Sequence, residues 1–251
     1  FPRRGKLRSY QNNMKNDNQK RKGFHSIEIM LKHNPHKIKN IFLPHSRKDT
    51  RINNLIALAE EHGVNYEFSR KLKKDPEASI SDEKILSFKD LKIFLNNDDD
   101  EHFLLILDNI IDPRNLGACI RSAAVLGVDA LIINKHQCAP INDTVHNVSA
   151  GGAEVLKIFQ VSNLINCIKH LKALNIQTFG LSEHAKDNFH NCDFKSSCAI
   201  VMGSEEHGIR KKTSESCDTL INLSNNKNFK SFNVSVATGI ILSEIVRQRK
   251  C

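Results

Sequence analysis

The sequence predicts an α/β fold in which a mostly parallel sheet carries helices on both faces, preceded by a small N-terminal α/β domain. Short and almost continuously apolar segments, such as FLLIL (103–107) and CAIVM (198–202), alternate with longer segments whose apolar residues recur at helical spacing. Strands buried on both faces are typical of parallel sheets covered by helices. A charged stretch, residues 69–102, separates a leading α/β pattern from this longer one.

The leading pattern covers residues 23–68. Ser26 is the predicted cap of a short helix, KIKNIFLP (37–44) is the first strand, and VNYEF (64–68) is the last. The apolar residues of the two helices recur at helical spacing: Ile27, Met30 and Leu31 in the first, and Ile52, Leu55, Ile56 and Ala59 in the second. This order predicts a small layered domain with its own core.

Charged segments flank this small domain. Residues 1–22 carry eight Lys or Arg and one Asp and contain little that could pack, which predicts a flexible basic arm. Residues 69–102 are too charged to be buried throughout and are predicted to be a linker. Within them, the apolar residues of 85–95 indicate a segment that packs on a neighbouring element.

The second pattern, residues 103–251, predicts the larger domain. Its strands are predicted at 103–108, 128–134, 155–161, 176–181, 198–203 and 219–223. Helices are predicted after Asn115, after a cap at Ser162, and from about Asn233 to Arg249. The last helix has one apolar face, formed by Val234, Ala237, Ile241 and Ile245.

Ligands of such sheets bind beyond the carboxyl ends of the strands. This rule selects three loops, 109–117, 203–209 and 224–232, as the predicted site.

The first of these loops leads into DPRNLGACIR (112–121). Pro113 fixes its own φ angle, Asn115 can cap the helix that follows, and Gly117 permits the close approach of another group. Arg121 lies six residues after Asn115 on that helix. A capped helix start with an arginine in a salt bridge explains the same residues without a site.

The second loop, MGSEEHGIR (202–210), places Glu205 between Gly203 and Gly208. Glycines at the end of a strand can expose backbone N–H groups to a ligand, and Glu205 could accept hydrogen bonds from a base, a ribose or Arg121. A plain turn explains this segment equally well.

The third loop places Ser231 and Asn233 at the start of an apolar helix, with Ser235 following. One such residue is enough to cap a helix. The additional polar residues indicate a further role.

The chain has a net charge of +9 and a sequence pI of about 9.2. This favours a polyanionic partner, either nucleic acid or an acidic membrane surface, although a Lys-rich composition alone has the same effect. A membrane surface is disfavoured because the basic residues form no amphipathic helix with a large apolar face.

Seven widely spaced cysteines without a C-x-x-C pair predict mostly buried free thiols in a reducing compartment. No His and Cys spacing matches a zinc site, so no metal is predicted. Residues 1–22 also have no hydrophobic core of a secretory signal. A cytoplasmic protein is therefore expected, or one in an organelle matrix if a leader has been removed.

Together, the segments DPRNLGACIR, VMGSEEHG and SFNVSVATG, in this order, resemble the three signature motifs of the SpoU (TrmH, SPOUT-class) RNA ribose 2′-O-methyltransferases. The resemblance covers about residues 103–250. It implies a deep trefoil knot at the carboxyl end of the sheet, S-adenosylmethionine as cofactor with S-adenosylhomocysteine as product, and no metal. It also implies a homodimer whose active site takes residues from both subunits.

The resemblance assigns roles to eight positions of this chain. Its cofactor contacts fall on Gly203, Leu223 and Phe232, largely through backbone atoms. Its catalytic and substrate positions fall on Asn115, Arg121, Glu205, Ser231 and Asn233.

Methyl transfer to a ribose 2′-OH needs a positioned donor, an in-line hydroxyl and an acceptor for the hydroxyl proton. The family's usual candidate for the base, or for its assistant, is an arginine, here Arg121. A guanidinium is effectively always protonated, so Arg121 is better suited to clamp the substrate phosphate and the developing alkoxide. The proton could then leave through phosphate or water.

The leading domain and the C-terminal tail resemble most closely the members that methylate a guanosine ribose in the peptidyl-transferase centre of large-subunit (23S-type) ribosomal RNA. The alternatives are a transfer RNA guanosine 2′-O-methyltransferase and a catalytically inactive knotted RNA-binding protein of ribosome assembly. In the third loop the family usually has I-P-M and a glycine, where this chain has Leu223, Ser224, Asn225 and Lys227. A less rigid cofactor loop is therefore expected.

Overall fold

The computed structural model of the protein describes residues 20–81, 85–96, 101–224, 226 and 231–250. They form two sheets. The N-terminal unit (residues 20–80) has four strands and two helices among the described residues: β1 Lys20–Lys22, α1 Phe24–His33, β2 Ile38–Pro44, α2 Thr50–Glu61, β3 Tyr66–Ser69 and β4 Glu77–Ile80. A 3-10 turn, Pro35–Lys37, joins α1 to β2.

The C-terminal unit (residues 86–250) contains the larger sheet. Its elements are β5 Leu86–Ser87, α3 Phe88–Asn96, β6 Phe103–Leu107, α4 Pro113–Val125, β7 Ala130–Asn134, α5 Asp143–Ser149, α6 Gly152–Val155, β8 Lys157–Val161, α7 Leu164–Ala173, β9 Gln177–Leu181, β10 Asp187–Asn188, β11 Cys198–Met202, α8 Lys211–Ser214, β12 Thr219–Asn222 and α9 Val234–Lys250. A 3-10 turn, Phe189–Asn191, follows β10.

The larger sheet confirms the predicted fold class. Its order is β10-β12-β9-β11-β6-β7-β8-β5, and all seven strand pairs are parallel. Alternate residues of one strand point to opposite faces: Leu105 packs in the core with α4 and α9, and Leu104 packs in the core with α3 and α7. Both faces are therefore covered by helices, which is why the strands are continuously apolar.

The N-terminal unit has its own sheet, in the order β1-β4-β2-β3, and its own core under α1 and α2. This sheet extends beyond the predicted 23–68 on both sides. Lys20–Lys22 pairs with Glu77–Ile80, so the predicted arm ends too late and the predicted linker contributes a strand. Residues 1–19 of that arm lie outside the described residues.

The rest of the predicted linker joins the larger sheet. Leu86–Ser87 pairs with β8, and Leu91 and Leu95 of α3 are buried against the sheet. The prediction that 85–95 packs on a neighbouring element is thus confirmed.

Three predicted helix caps are wrong by one to three residues. Gly23, with φ 92°, precedes α1, and Ser26 is buried inside that helix. The cap of α4 is Asp112, whose carboxylate accepts from Arg114 N, and the cap of α7 is Asn163 and not Ser162. The observed residues lie three positions before the predicted cap in α1 and α4 and one position after it in α7, because the cap is set by backbone geometry that the sequence pattern does not encode.

A buried ion pair joins the two units. Arg21 of β1 donates from Nε to Oε1 of Glu154 at 3.0 Å, and His146 Nδ1 lies 2.7 Å from the same oxygen. The side chains of Arg21 and Glu154 are 5% and 1% exposed. Asn34 adds a hydrogen bond from Nδ2 to the Glu154 carbonyl at 2.8 Å. An arginine that the sequence pattern assigned to a solvated arm is therefore fixed by a carboxylate far along the chain.

Helix α1 of the N-terminal unit packs closely against the start of α6 in the C-terminal unit. A Cβ atom on Gly151, which has φ 92°, would meet Cδ1 of Ile29 at 2.4 Å. Gly151 is thus needed both for its left-handed backbone and for the approach of α1.

The six described cysteines are free thiols, of which Cys119, Cys167 and Cys198 are buried. Burial raises the pKa of Cys119 to about 11 and that of Cys167 to about 12, so these thiols stay protonated near neutral pH. Among the described residues, no helix is long and apolar enough to cross a bilayer.

Replacing Glu154 by Ala should lower the free energy of unfolding by about 3–5 kcal/mol, because Arg21 would remain buried without its carboxylate. Urea unfolding followed by circular dichroism measures this loss. The exposed Glu61→Ala variant is the control and should change stability by about 0.5 kcal/mol or less.

The same loss should depend on pH. Burial raises the pKa of Glu154, but His146 and Arg21 outweigh it and hold the pKa below its ordinary 4.5. The stabilisation is therefore fully present above pH 4.5 and is lost as the pH falls through the lowered folded value. The stability difference between wild type and Glu154→Ala should shrink under acid conditions; a constant difference would contradict this assignment.

Candidate active site

Three loops follow the carboxyl ends of strands on one edge of the larger sheet. The strands β6 and β11 are neighbours, and β12 lies beyond β9 on the far side of β11. Because these strands are parallel, the loops after β6, β11 and β12 meet at that edge, as the sequence predicts.

The first loop enters α4 through Asp112 and Pro113, so Asn115 lies in the first turn of the helix and does not cap it. Gly117 does permit a close approach, and the partner is α5: a Cβ atom there would meet Cβ of Val148 at 2.8 Å. Helix α4 packs against α9 as well as α5, and these contacts fix the position of Asn115.

The second loop folds back on the end of β11. Gly208 N donates to Ser204 O at 2.8 Å, and Ser204 N donates to Gly208 O at 3.1 Å. A Cβ atom on Gly203 would lie 1.9 Å from the carbonyl carbon of Gly208. Only glycine fits at position 203. The N–H of Gly208 is engaged in this turn and is therefore not offered to a ligand, contrary to the sequence interpretation.

A buried carboxylate anchors both loops. Asp108, which is fully buried after β6, accepts from Nε of Arg210 at 2.8 Å and from its backbone N at 3.2 Å. Arg210 also donates to Oε1 of Gln137 in the loop after β7. Sequence reasoning missed Arg210 and Gln137. The available signal was an aspartate that ends a buried apolar strand, because such a charge requires a cationic partner.

The structure brings together Asn115, Glu205 and Asn233, one from each loop. Asn233 Nδ2 donates to Oδ1 of Asn115 at 3.2 Å and also to Oε1 of Glu205. Glu205 Oε1 accepts in addition from the backbone N of Val234 at 3.3 Å. Oδ1 of Asn233 accepts from Ser235 N at 2.9 Å, so Asn233 caps α9 while its amide nitrogen joins the other two loops.

The structure leaves Arg121 and Ser231 outside this polar cluster. Arg121 is one and two-thirds turns beyond Asn115, about 9 Å along α4 and on a different face. Its side chain is exposed and makes no hydrogen bond or ion pair with any described residue. Of the three partners that the sequence offered for Glu205, a base, a ribose or Arg121, the arginine is therefore not used within one chain. Ser231 is exposed two residues before Asn233.

The three predicted cofactor residues lie along the same edge. Gly203 follows β11, and Leu223, which packs against the core, follows β12. One strand separates β11 from β12, so these two positions are about 10 Å apart. Phe232 is 43% exposed beside Asn233. Asn225 and Lys227 of the expected loop lie outside the described residues. In the described part of the chain, no three His, Cys, Asp or Glu side chains are grouped as metal ligands.

Known proteins match both units. Residues 102–243 match the SpoU rRNA Methylase family, and residues 22–73 match the family described as RNA 2′-O ribose methyltransferase substrate binding. The chain belongs to the SpoU rRNA methylase family. A relative from Shewanella oneidensis, 23S rRNA (guanosine-2′-O-)-methyltransferase RlmB, is 38% identical over 91% of this chain and 96% of its own length. The protein of that name from Escherichia coli K12 is 35% identical over 90% of this chain and 97% of its own length.

Solved structures show the same fold. The SpoU methyltransferase AviRb from Streptomyces viridochromogenes, in complex with AdoMet, has a TM-score of 0.72 and 19% identity, and the match covers 92% of this chain and 90% of AviRb. A TrmH/SpoU tRNA modifying enzyme from A. aeolicus has a TM-score of 0.55 and 27% identity. That match covers 64% of this chain and 83% of the A. aeolicus chain.

Replacing Gly203 by Ala should lower the free energy of unfolding by about 1–3 kcal/mol, because the new Cβ atom must displace the backbone of the second loop. Thermal or urea unfolding measures the change. Gly239→Ala in α9 is the matched control: apart from neighbouring backbone of its own helix, no atom lies within 4 Å of its Cβ position, and alanine should stabilise the helix by about 0.5–1 kcal/mol. Equal stabilities for the two variants would contradict the tight turn.

Proposed function

We propose that the protein transfers a methyl group from S-adenosylmethionine to the ribose 2′-OH of a guanosine in large-subunit ribosomal RNA, in the peptidyl-transferase centre. The observation that carries this proposal is the joining of Asn115, Glu205 and Asn233 from three separate loops at one edge of a parallel sheet. Relatives named for 23S rRNA guanosine 2′-O-methylation, similar over 90% of the chain, support the substrate.

The residues at the sheet edge fit the cofactor. The tight turn at Gly203 keeps side chains away from the end of β11, so backbone atoms face the edge there. Leu223 and Phe232 offer apolar surface for an adenosyl group, and the approximately 10 Å between the ends of β11 and β12 suits its length. The bound cofactor supplies a methyl group on a positively charged sulfonium. No metal ligand set is required for this chemistry.

The polar cluster would position the ribose. Asn115, Glu205 and Asn233 together offer amide donors and carboxylate and amide acceptors, which match hydroxyls that both donate and accept. Because Glu205 and Asn233 are fixed at the N-terminus of α9, the cluster is ordered before the RNA arrives, which lowers the cost of alignment. Ser231, which is exposed two residues before Asn233 in the chain, would add a further ribose contact.

Arg121 would act from the partner subunit of a homodimer. In one chain it is exposed, lies on another face of α4 and has no acidic partner among the described residues. A second copy can bring that guanidinium to the cluster, where it would bind the RNA phosphate and stabilise the developing alkoxide. The hydroxyl proton then passes to phosphate or water, since the guanidinium itself stays protonated.

The N-terminal unit would hold the RNA near this edge. A cleft of about 990 Å³ opens between that unit and the ends of β7 and β8. Four lysines line it: Lys20, Lys37, Lys135 and Lys157. Their charge suits a phosphate backbone, and the buried Arg21–Glu154 pair keeps the two walls in a fixed relation.

A trefoil knot at the carboxyl end of the larger sheet and a cytoplasmic location belong to the same proposal. Similarity to SpoU methyltransferase structures supports the knot. Bacterial relatives named for ribosomal RNA support the location. A transfer RNA substrate is less favoured, because the tRNA modifying enzyme matches only 64% of this chain.

The proposal predicts that the protein incorporates labelled methyl groups from S-adenosylmethionine into unmodified 23S ribosomal RNA and not into transfer RNA. Replacing Asn233 by Ala should reduce the rate by about 100-fold or more, because the cluster loses its central donor. Labelling of transfer RNA alone would favour the alternative substrate. Binding of both RNAs without any incorporation would favour the ribosome-assembly protein.

A shared site predicts complementation between inactive variants. Arg121→Ala and Asn115→Ala protomers, each inactive alone, should regain about a quarter of the wild-type activity when unfolded and refolded together in equal amounts, because half of the dimers then contain one intact site. Co-refolded Asn115→Ala and Asn233→Ala protomers are the control. They should stay inactive, since both changes fall in the same half of the site. No recovery in the first mixture would contradict the shared site.

A further inference from the structure

An exposed aromatic ring lies on the N-terminal unit, at the edge of its sheet opposite β1. Phe68 of the edge strand β3 is 48% exposed. His45 lies at 6.3 Å between ring centroids with an interplanar angle of 80°, and Tyr66 lies at 6.5 Å with an angle of 85°. Neither ring is stacked parallel on Phe68. A large apolar ring is thus held by two neighbours and left open to solvent.

Two basic loops border this ring. Because β2 and β3 are parallel neighbours, the loops that follow them, 45–49 and 70–75, lie side by side. They are tied together by hydrogen bonds from Ser46 Oγ to Lys73 O at 3.1 Å and from Arg47 Nη1 to Lys74 O at 2.8 Å. The order of these loops therefore does not depend on a ligand.

The charges of these loops are mostly unneutralised. Together the loops carry six Lys or Arg and two Asp. Asp49 pairs with Arg47 at 2.6 Å, and the Arg47 hydrogen bond outweighs burial to hold the pKa of that carboxyl below its ordinary value. The four basic residues of the second loop make no ion pair with a described residue: Arg70, Lys71, Lys73 and Lys74.

We propose that Phe68 is a stacking platform for one unpaired base of an RNA, and that the loops 45–49 and 70–75 bind the phosphates on either side of it. Every base has a π face that can stack on an aromatic ring, and a cationic border tracks the backbone of a single strand. Duplex RNA hides its bases, so the platform selects a bulge, a loop or a strand end. The inference deepens the proposed function and rests on it only in taking RNA as the ligand.

The chain contains no tryptophan, so Phe68→Trp introduces a single indole reporter at the platform. Titration of this variant with a single-stranded oligoribonucleotide should quench its fluorescence. Duplex RNA of the same length and inorganic polyphosphate should leave the fluorescence unchanged. Ile93→Trp is the matched control and should not be quenched. Ile93 is 51% exposed on α3. Helix α3 covers one face of the larger sheet, whereas the N-terminal unit contacts α6 on the other face.

Two further variants separate stacking from charge. Phe68→Ala should weaken binding of the single strand by about 5- to 150-fold, with an unchanged slope of log affinity against log salt. Lys71→Gln combined with Lys74→Gln should reduce that slope by about 1.4, because two phosphate contacts are lost. Phe68→Tyr should bind as wild type.

The platform would be overturned if duplex RNA or polyphosphate quenched Phe68→Trp as strongly as the single strand does. It would also be overturned if the wild type and Phe68→Ala bound the single strand with equal affinity. These outcomes are independent of the methylation assay. If the single strand quenches Phe68→Trp but the wild type transfers no methyl group, the platform is supported and the proposed enzyme is contradicted. If the wild type transfers methyl groups but the single strand does not quench Phe68→Trp, the enzyme is supported and the platform is contradicted.

Discussion

The candidate site depends on one buried carboxylate. Asp108 is fully removed from solvent at the end of β6, where an unpaired charge would be strongly unfavourable. Arg210 compensates it through its guanidinium and its backbone N–H, and so fixes the second loop to the first. With that loop held, Glu205 reaches the N-terminus of α9, and the three polar side chains meet. The ion pair at 2.6 Å therefore sets the geometry on which the chemistry rests.

The parts of the fold that follow from local pattern were predictable from the sequence. FLLIL, ALIIN and CAIVM are apolar throughout because both faces of the sheet are covered, and this pattern is visible without any structure. Parallel strands place their following loops at one edge, so the convergence of Asn115, Glu205 and Asn233 also follows from strand order. Local pattern does not show which polar residues of the loops carry the chemistry; only the family resemblance indicates them. For Asn233, for example, helix capping explains the residue equally well, and capping is part of its observed role.

The sequence predictions that were wrong concern features that depend on contacts between residues far apart in the chain. Arg21 lies in a segment whose composition predicts a solvated arm. It is nevertheless buried in a strand, where it is hydrogen-bonded to Glu154, which lies 133 positions later. The strand Glu77–Ile80 lies in a segment whose charge indicates a linker, but its pairing with β1 and β2 buries Ala78 and Ile80. Arg121 is separated from the other catalytic candidates by helix geometry, which motif order does not reveal. The proposed homodimer would reconcile its position with its proposed role, because the arginine would then act from the second subunit.

The most direct test of the proposed chemistry is the position of the transferred methyl group on the RNA. A methyl group on the 2′ oxygen removes the nucleophile of alkaline cleavage, so the modified linkage survives as a dinucleotide. After reaction with labelled S-adenosylmethionine and alkaline hydrolysis of 23S ribosomal RNA, the label is predicted in an alkali-resistant dinucleotide that begins with guanosine. Label in a mononucleotide, which places the methyl group on a base, would contradict ribose methylation by these three loops.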